Sequence, residues 1–187
     1  MLPSPFESHH AAAPALPPGV WRRPLTVHRD ARGTVAEFFR SEWPSGFQPA
    51  QWQVTVSAAN SLRGMHLHLR HTDYLLVLDG TVALGLHDLR AGSPAHGRGL
   101  LLELDGAAPA ALLIPPGVAH GLCCRTRATY VIGIDRAYDT ADELGCRWDD
   151  ARLGIPWPTD APLLSPGDAA LPPLAEVTHL VSPWRPS

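Results

Sequence analysis

An all-β sandwich or barrel is the fold class this chain predicts, and three features point to it. Short apolar runs of strand length recur from residue 24 to about residue 135. Turn dipeptides, Asp79-Gly80, Asp105-Gly106 and Pro116-Gly117, cut these runs at regular intervals. No sustained 3.6-residue periodicity competes with them there, and many short strands with turn signals mean a closed or two-sheet β architecture.

The elements follow in order. Residues 1–22 are rich in Pro and Ala, lack periodicity and read as an N-terminal arm, with His9 and His10 incidental. The domain proper spans 23–187. Within it "LTVHRD", "TVAEFF", "QWQVTVSA", "DYLLVLDG", "TVALGLHDLR", "GLLLELDG", "AALLIPPG" and "ATYVIGID" each have a strand's length and β-branched content. The proline-rich tail from residue 140 is expected to wrap the barrel, with one short helix near "DTADELG" and another near "SPGDAALPPL". The six tryptophans fit packing between barrel and tail.

Composition narrows the function. A net charge of −3 in 187 residues shows no basic patch, so no nucleic-acid polymer is expected. All fifteen basic residues are arginine, which removes lysine Schiff-base chemistry and any lysine general base. The three cysteines form no CxxC pair and read as buried thiols. With no leader-like or membrane-spanning run, a soluble cytoplasmic protein is expected.

The densest chemistry lies in "RGMHLHLRHTD". Residues two apart on a strand share a face, so His66 and His68 project together if Leu67 and Leu69 pack on the other. Asp73 follows after four intervening residues, Gly80 after six more, and "IPPGVAHG" supplies His120 forty residues beyond Gly80. Three imidazoles and a carboxylate suit Zn, Fe, Ni or Mn. His71 and His87 read as surface or loop residues; His96 and His179 carry no signal.

This spacing is similar to the two motifs of the cupin family, in which two histidines, an acid and a later histidine converge on one metal inside a jelly-roll barrel. The resemblance implies a metal set of His66, His68, Asp73 and His120, and no organic cofactor. Two departures stand out: the acid is Asp rather than the usual Glu, and Cys124 replaces a final asparagine.

A longer resemblance covers about residues 24–175. "DARGTVAEFF", "SLRGMH", "DLRAGSPAHG", "IPPGVAHGL", "AYDTADELGCRWDDARLGIPWP" and "LLSPGDAALPPL" resemble, in order, the dTDP-4-dehydrorhamnose 3,5-epimerase family, itself cupin-like. The resemblance implies that His66 is the base that removes a proton beside a ketone, paired with Asp168. A carboxylate on one ring nitrogen fixes the tautomer and raises the basicity of the other. It also implies that Arg32 and Arg63 hold a nucleotide diphosphate, that Glu37, Gln51 and Gln53 lie near nucleotide or sugar, and that Tyr138 lies near the base. The family's acidic tyrosine falls at Ile132 or Gly133, neither of which moves a proton, while Tyr130 lies two residues earlier and faces the same side as Ile132. The family's lysine falls at Asp73 and its glutamine at His68, so both changes move the site toward metal binding. If His66 is a ligand it cannot also be a free base.

Three functions follow from these residues. One is an isomerase of the epimerase type acting on a nucleotide-linked deoxysugar, diverged from full 3,5-epimerisation and suited to natural-product pathways. The alternative is a metal-dependent cupin enzyme acting on a non-sugar molecule, as an epimerase, lyase, cyclase or dioxygenase. The third is a non-enzymatic metabolite-binding cupin. Relatives of this kind exchange N-terminal strands between subunits, which hides unpaired backbone at a sheet edge, so a homodimer is expected.

Overall fold

A computed structural model describes residues 15–186; His9 and His10 lie outside the described residues. Twelve strands follow in chain order: β1 Trp21–Pro24, β2 Val27–Asp30, β3 Gly33–Ala36, β4 Gln51–Ser57, β5 Leu62–Leu67, β6 Asp73–Asp79, β7 Thr81–Asp88, β8 Gly99–Asp105, β9 Ala110–Ile114, β10 Val118–Cys124, β11 Ala128–Ile134 and β12 Leu144–Gly145. All eight apolar runs singled out above contain or overlap one of them. β1, β5, β10 and β12 complete the set.

Two antiparallel five-stranded sheets, ordered β1-β9-β6-β11-β4 and β12-β5-β10-β7-β8, face each other as a jelly roll; β2 and β3 form a separate hairpin. The Asp79-Gly80 turn joins strands that belong to opposite sheets, so it is a corner between layers and not the tip of a hairpin. Gly80 has φ +81°, a conformation open to Gly at little cost.

The core follows from alternation on the facing strands. Leu75, Val77, Leu112, Ile114, Ala128 and Tyr130 from one sheet meet Val82, Leu84, Leu86, Leu102, Leu104, Val118, Leu122 and Cys124 from the other. Burying an aliphatic side chain of this size contributes about 1.5–3 kcal/mol. The opposite face of β5 and β10, with Met65, Leu67 and Ala119, is covered by Cys146, Leu153, Leu174 and Val177 of the tail, and Leu69 packs there too. Leu67 and Leu69 therefore occupy the face away from His66 and His68, as the alternation predicts. All three cysteines are buried and free.

The tail is less regular than expected. The segment near "DTADELG" is a 3-10 turn, Thr140–Asp142, running into β12, and "SPGDAALPPL" holds one helical turn, α1, Pro166–Ala169. Trp148 and Trp157 pack between tail and barrel, whereas Trp52 faces outward, 39% exposed. No helix among the described residues is long and apolar enough to cross a membrane.

Candidate active site

Registry builds the site at one end of the sandwich. His120 on β10 lies opposite His66 on β5, and Leu122 lies opposite Arg63. Two steps along β10 thus match three along β5, a bulge of one residue. Without it, Arg63 and His66 would point to opposite faces, since side chains alternate along a strand. The bulge turns both toward the interior, a re-aiming that bulges beside active sites commonly provide. Gly64 sits in it with φ +115°. On the facing sheet, Asp73 opens β6 on the same side as Leu75 and Val77, opposite Ile114 and Ile134.

A single cavity is lined by Gln53, Thr55, Arg63, His66, His68, His71, Asp73, His120, Leu122, Tyr130, Ile132, Ile134, Tyr138 and Glu143. Most residues named from the sequence meet here. Gln53 and Thr55 lie opposite Ile132 and Tyr130 on neighbouring strands, and Gln51 accepts the backbone N–H of Tyr138 at the rim.

Asp168 stands behind His66. Its Oδ1 lies 2.9 Å from His66 Nε2 and accepts the backbone N–H of Gly64 at 3.0 Å. The Ser165 hydroxyl donates to Oδ2 at 2.7 Å. Ser165 also caps α1, which fixes the carboxylate in place. Burial pushes this carboxyl up, but the hydrogen bonds from His66, Ser165 and Gly64 more than reverse that and hold it at about 2. An ionised Asp168 keeps the His66 proton on Nε2 and leaves the lone pair on Nδ1. The His66 side chain is 35% exposed and Asp168 only 8%, so the base reaches the cavity and its partner does not.

A second group forms beside this pair. His68 Nε2 and His120 Nε2 lie 3.5 and 3.3 Å from Asp73 Oδ2. His71 Nε2 lies 3.6 Å from Asp73 Oδ1. Burial strongly favours neutral His120, holding it at about 4. Burial also lowers His71, but the flanking Asp73 and Asp142 carboxylates outweigh it and raise the group. Burial raises the Asp73 carboxyl, and the surrounding imidazoles, His71 foremost, more than reverse that.

The structure corrects three expectations and places two further residues outside the cavity of this chain. His71 is buried, because its Nδ1 donates to Asp142 Oδ2 at 2.8 Å while its other nitrogen faces Asp73. His87 is buried as well, hydrogen-bonded through Nδ1 to the Leu153 carbonyl, and burial holds it neutral. His66 stands apart from the metal-like group: donor atoms of His68, Asp73 and His120 lie within 4.8 Å of one another, whereas Asp168 holds the His66 ring. Arg32 and Glu37 do not reach the cavity of their own chain. Arg32 pairs with Asp30 in the β2–β3 hairpin, and Glu37 pairs with Arg40 just beyond it.

Asp142 was not visible from the sequence. Its carboxylate accepts the backbone N–H groups of Leu69 and Arg70 as well as His71, and so shapes the whole histidine segment. A lone acid in a turn carries no periodic or spacing signal. Ser57 is a second such residue: its hydroxyl accepts from Arg63 Nε at 3.0 Å and lies 3.1 Å from the Tyr130 hydroxyl. Tyr130 is fully buried, and burial raises its phenol.

Comparison with known proteins agrees with this layout. The family model described as dTDP-4-dehydrorhamnose 3,5-epimerase matches residues 16–176. The chain is 32% identical over 172 residues to the dTDP-4-dehydro-6-deoxyglucose 3-epimerase of Streptomyces bikiniensis, covering 87% of this chain and 88% of that one. It also resembles two solved structures. One is a 4-keto-6-deoxy sugar epimerase from the novobiocin gene cluster of Streptomyces spheroides (TM-score 0.84, 30% identity, 91% and 92% of the two chains). The other is the 3'-monoepimerase of Streptomyces bikiniensis in complex with dTDP-quinovose (TM-score 0.81, 31% identity, 88% and 89%).

Proposed function

This chain belongs to the dTDP-4-dehydrorhamnose 3,5-epimerase family and is an isomerase of the epimerase type, and from its own pocket we propose that it inverts a single carbon, C3, of a dTDP-linked 4-keto-6-deoxysugar. The observation that carries this is His66, held by Asp168 and facing a cavity lined by Ile132, one of the two positions, with Gly133, at which the family resemblance places a phenol. His66 Nδ1 takes the proton beside the ketone, and Asp168 stabilises the imidazolium that results. The enolate so formed is reprotonated on the opposite face. Tyr130 is the buried phenol that lines the same cavity, and it is the acid in this reading. The Ser57 hydroxyl bonds it, and Arg63 Nε in turn donates to that Ser57 hydroxyl. With one phenol of this kind, one centre inverts. The 3-epimerases among the relatives support that choice, and the relatives as a group favour a nucleotide-linked sugar over a non-sugar substrate.

The test is turnover of dTDP-4-keto-6-deoxyglucose in deuterium oxide, read by mass spectrometry and NMR. One deuterium is expected, at C3 and with inversion. Deuterium at both C3 and C5 overturns the single-centre reading, and none at either carbon overturns the epimerase reading for this substrate. Tyr130→Phe should keep exchange at C3 and lose inversion by about 10²–10⁴-fold, the usual contribution of one positioned acid.

Arg32 and Glu37 bear on assembly. On β4, Gln51, Gln53, Thr55 and Ser57 turn inward, while Trp52, Val54 and Val56 turn outward. Val54 is 66% exposed on an edge strand whose neighbour on one side is missing. An inverted strand with an open edge fits cover by a second copy. In that homodimer the partner's hairpin lies along β4 and brings its own Arg32 and Glu37 to this cavity, where Arg32 suits the diphosphate. Two inactive variants, Arg32→Ala and His66→Asn, mixed with subunit exchange, are then expected to recover about a quarter of the wild-type sites, one intact site per mixed dimer. No recovery despite exchange, measured by light scattering and native mass spectrometry, argues that each cavity uses only its own chain.

A further inference from the structure

We propose that His68, Asp73 and His120 hold one divalent first-row transition-metal ion beside the His66–Asp168 pair, with His71 orienting the Asp73 carboxylate. Hydrogen-bond direction is the first support. His68 Nδ1 lies 3.0 Å from the Asp142 carbonyl oxygen and His120 Nδ1 lies 3.3 Å from the Val118 carbonyl oxygen. A carbonyl can only accept, so each Nδ1 carries a proton, and it is then Nε2 of the neutral ring that is free to bind a metal. Both Nε2 atoms lie within 3.5 Å of one carboxylate oxygen, Asp73 Oδ2, which is buried and has no hydrogen-bond partner. Three acceptors gathered at one buried point repel unless a proton or a cation lies among them. Metal-binding histidines show this same pattern, with the far ring nitrogen donating to a carbonyl or carboxylate.

Spacing is the second support. Donors about 2.1 Å from a shared ion, at the tetrahedral angle, stand about 3.4 Å apart. The Nε2–Oδ2 separations here are 3.5 and 3.3 Å. His71 is a positioning residue and not a ligand to the same ion. It faces the other carboxylate oxygen, Oδ1, and stacks on His68 with ring centroids 3.9 Å apart. Two imidazoles and one carboxylate form a site for a borderline ion such as Zn, Fe, Mn or Co, and three protein ligands leave a position open to the cavity. This set spares His66. Base and metal are therefore separate groups, with the His66 and His120 ring centroids 6.4 Å apart. In the epimerase reading, on which the role but not the site rests, an ion held there would supply the positive charge that Asp73 cannot and would act as a Lewis acid beside the ketone, while His66 remains the group that removes the proton.

The test uses the full chain, prepared without a polyhistidine tag and stripped with chelator, then titrated with cobalt(II) and with zinc(II) as competitor. One cobalt per chain is expected, with the intense visible bands of a four-coordinate ion, displaced by zinc. Loss of an orienting partner alone weakens metal sites about 10–100-fold, so Asp73→Asn and His120→Gln should each weaken binding by about 100-fold or more, while His66→Asn binds as wild type. Circular dichroism reports folding, and if one ligand variant fails to fold the other carries the comparison. Equal cobalt affinity in wild type and either folded ligand variant overturns the proposal, as does loss of cobalt on His66→Asn. A chain that binds cobalt but exchanges no deuterium keeps the metal site and loses the epimerase reading. A stripped chain that exchanges deuterium at full rate and binds no cobalt does the reverse.

Discussion

Replacing His66 with Asn is expected to slow deuterium exchange at C3 by about 10²–10⁴-fold, the range for loss of a positioned general base. The fold should survive, because the ring is 35% exposed and Asn can still offer an N–H toward Asp168. Asp168→Asn should lose nearly as much. An amide at this position presents the Gly64 N–H with one acceptor at most and no longer stabilises a charged imidazolium. The Asp168 carboxyl is held at about 2, below its ordinary 3.8. Its contribution to stability is therefore fully present above about pH 4 and is lost as pH falls through the window from 3.8 to about 2. In Asp168→Asn that part of the acid unfolding disappears. Exchange within threefold of wild type in both variants would remove the pair from the chemistry.

The second large effect is on stability. Gly64→Ala is expected to cost about 2–5 kcal/mol, combining strain at a forbidden φ with overpacking. A Cβ there would lie 2.7 Å from the His120 carbonyl oxygen and 2.9 Å from the Gly121 Cα, both backbone atoms with nowhere to move, at φ +115°. Relief requires the bulge to open, which swings either Arg63 or His66 off the cavity and draws the Gly64 N–H away from Asp168. Urea unfolding should show a lower midpoint with an unchanged slope, and the protein that remains folded should have a depressed kcat. A midpoint shift worth less than about 1 kcal/mol would mean that the bulge relaxes freely and does not fix the site.

Much of this fold is legible in the chain before folding. Period-2 alternation and turn dipeptides located eight strands, because both signals reside within a few consecutive residues. The edges of the pattern are harder. β1 is a short Trp-Arg-Arg-Pro segment with no alternation, and β10 is buried on both faces and so lacks an apolar-polar alternation, so neither announces itself. His71 was misplaced for a similar reason: its two partners, Asp73 and Asp142, lie on segments brought together only by the tail.

β4 illustrates where local information stops. Its residues alternate clearly, yet its apolar set faces outward and its polar set lines the cavity. Alternation states that two faces exist; it does not state which one is inside.

The chain alone determined the all-β class, the positions of eight of its strands and the inventory of imidazoles and carboxylates, since those depend on local pattern and on residue identity. Tertiary structure decided how that inventory divides. A one-residue bulge at Gly64 set His66 against Asp168, and the meeting of β5, β6 and β10 set His68 and His120 against Asp73. The physical reason is that cross-sheet register belongs to contacts between segments tens of residues apart, and a single extra residue in one strand reassigns which side chains share a face.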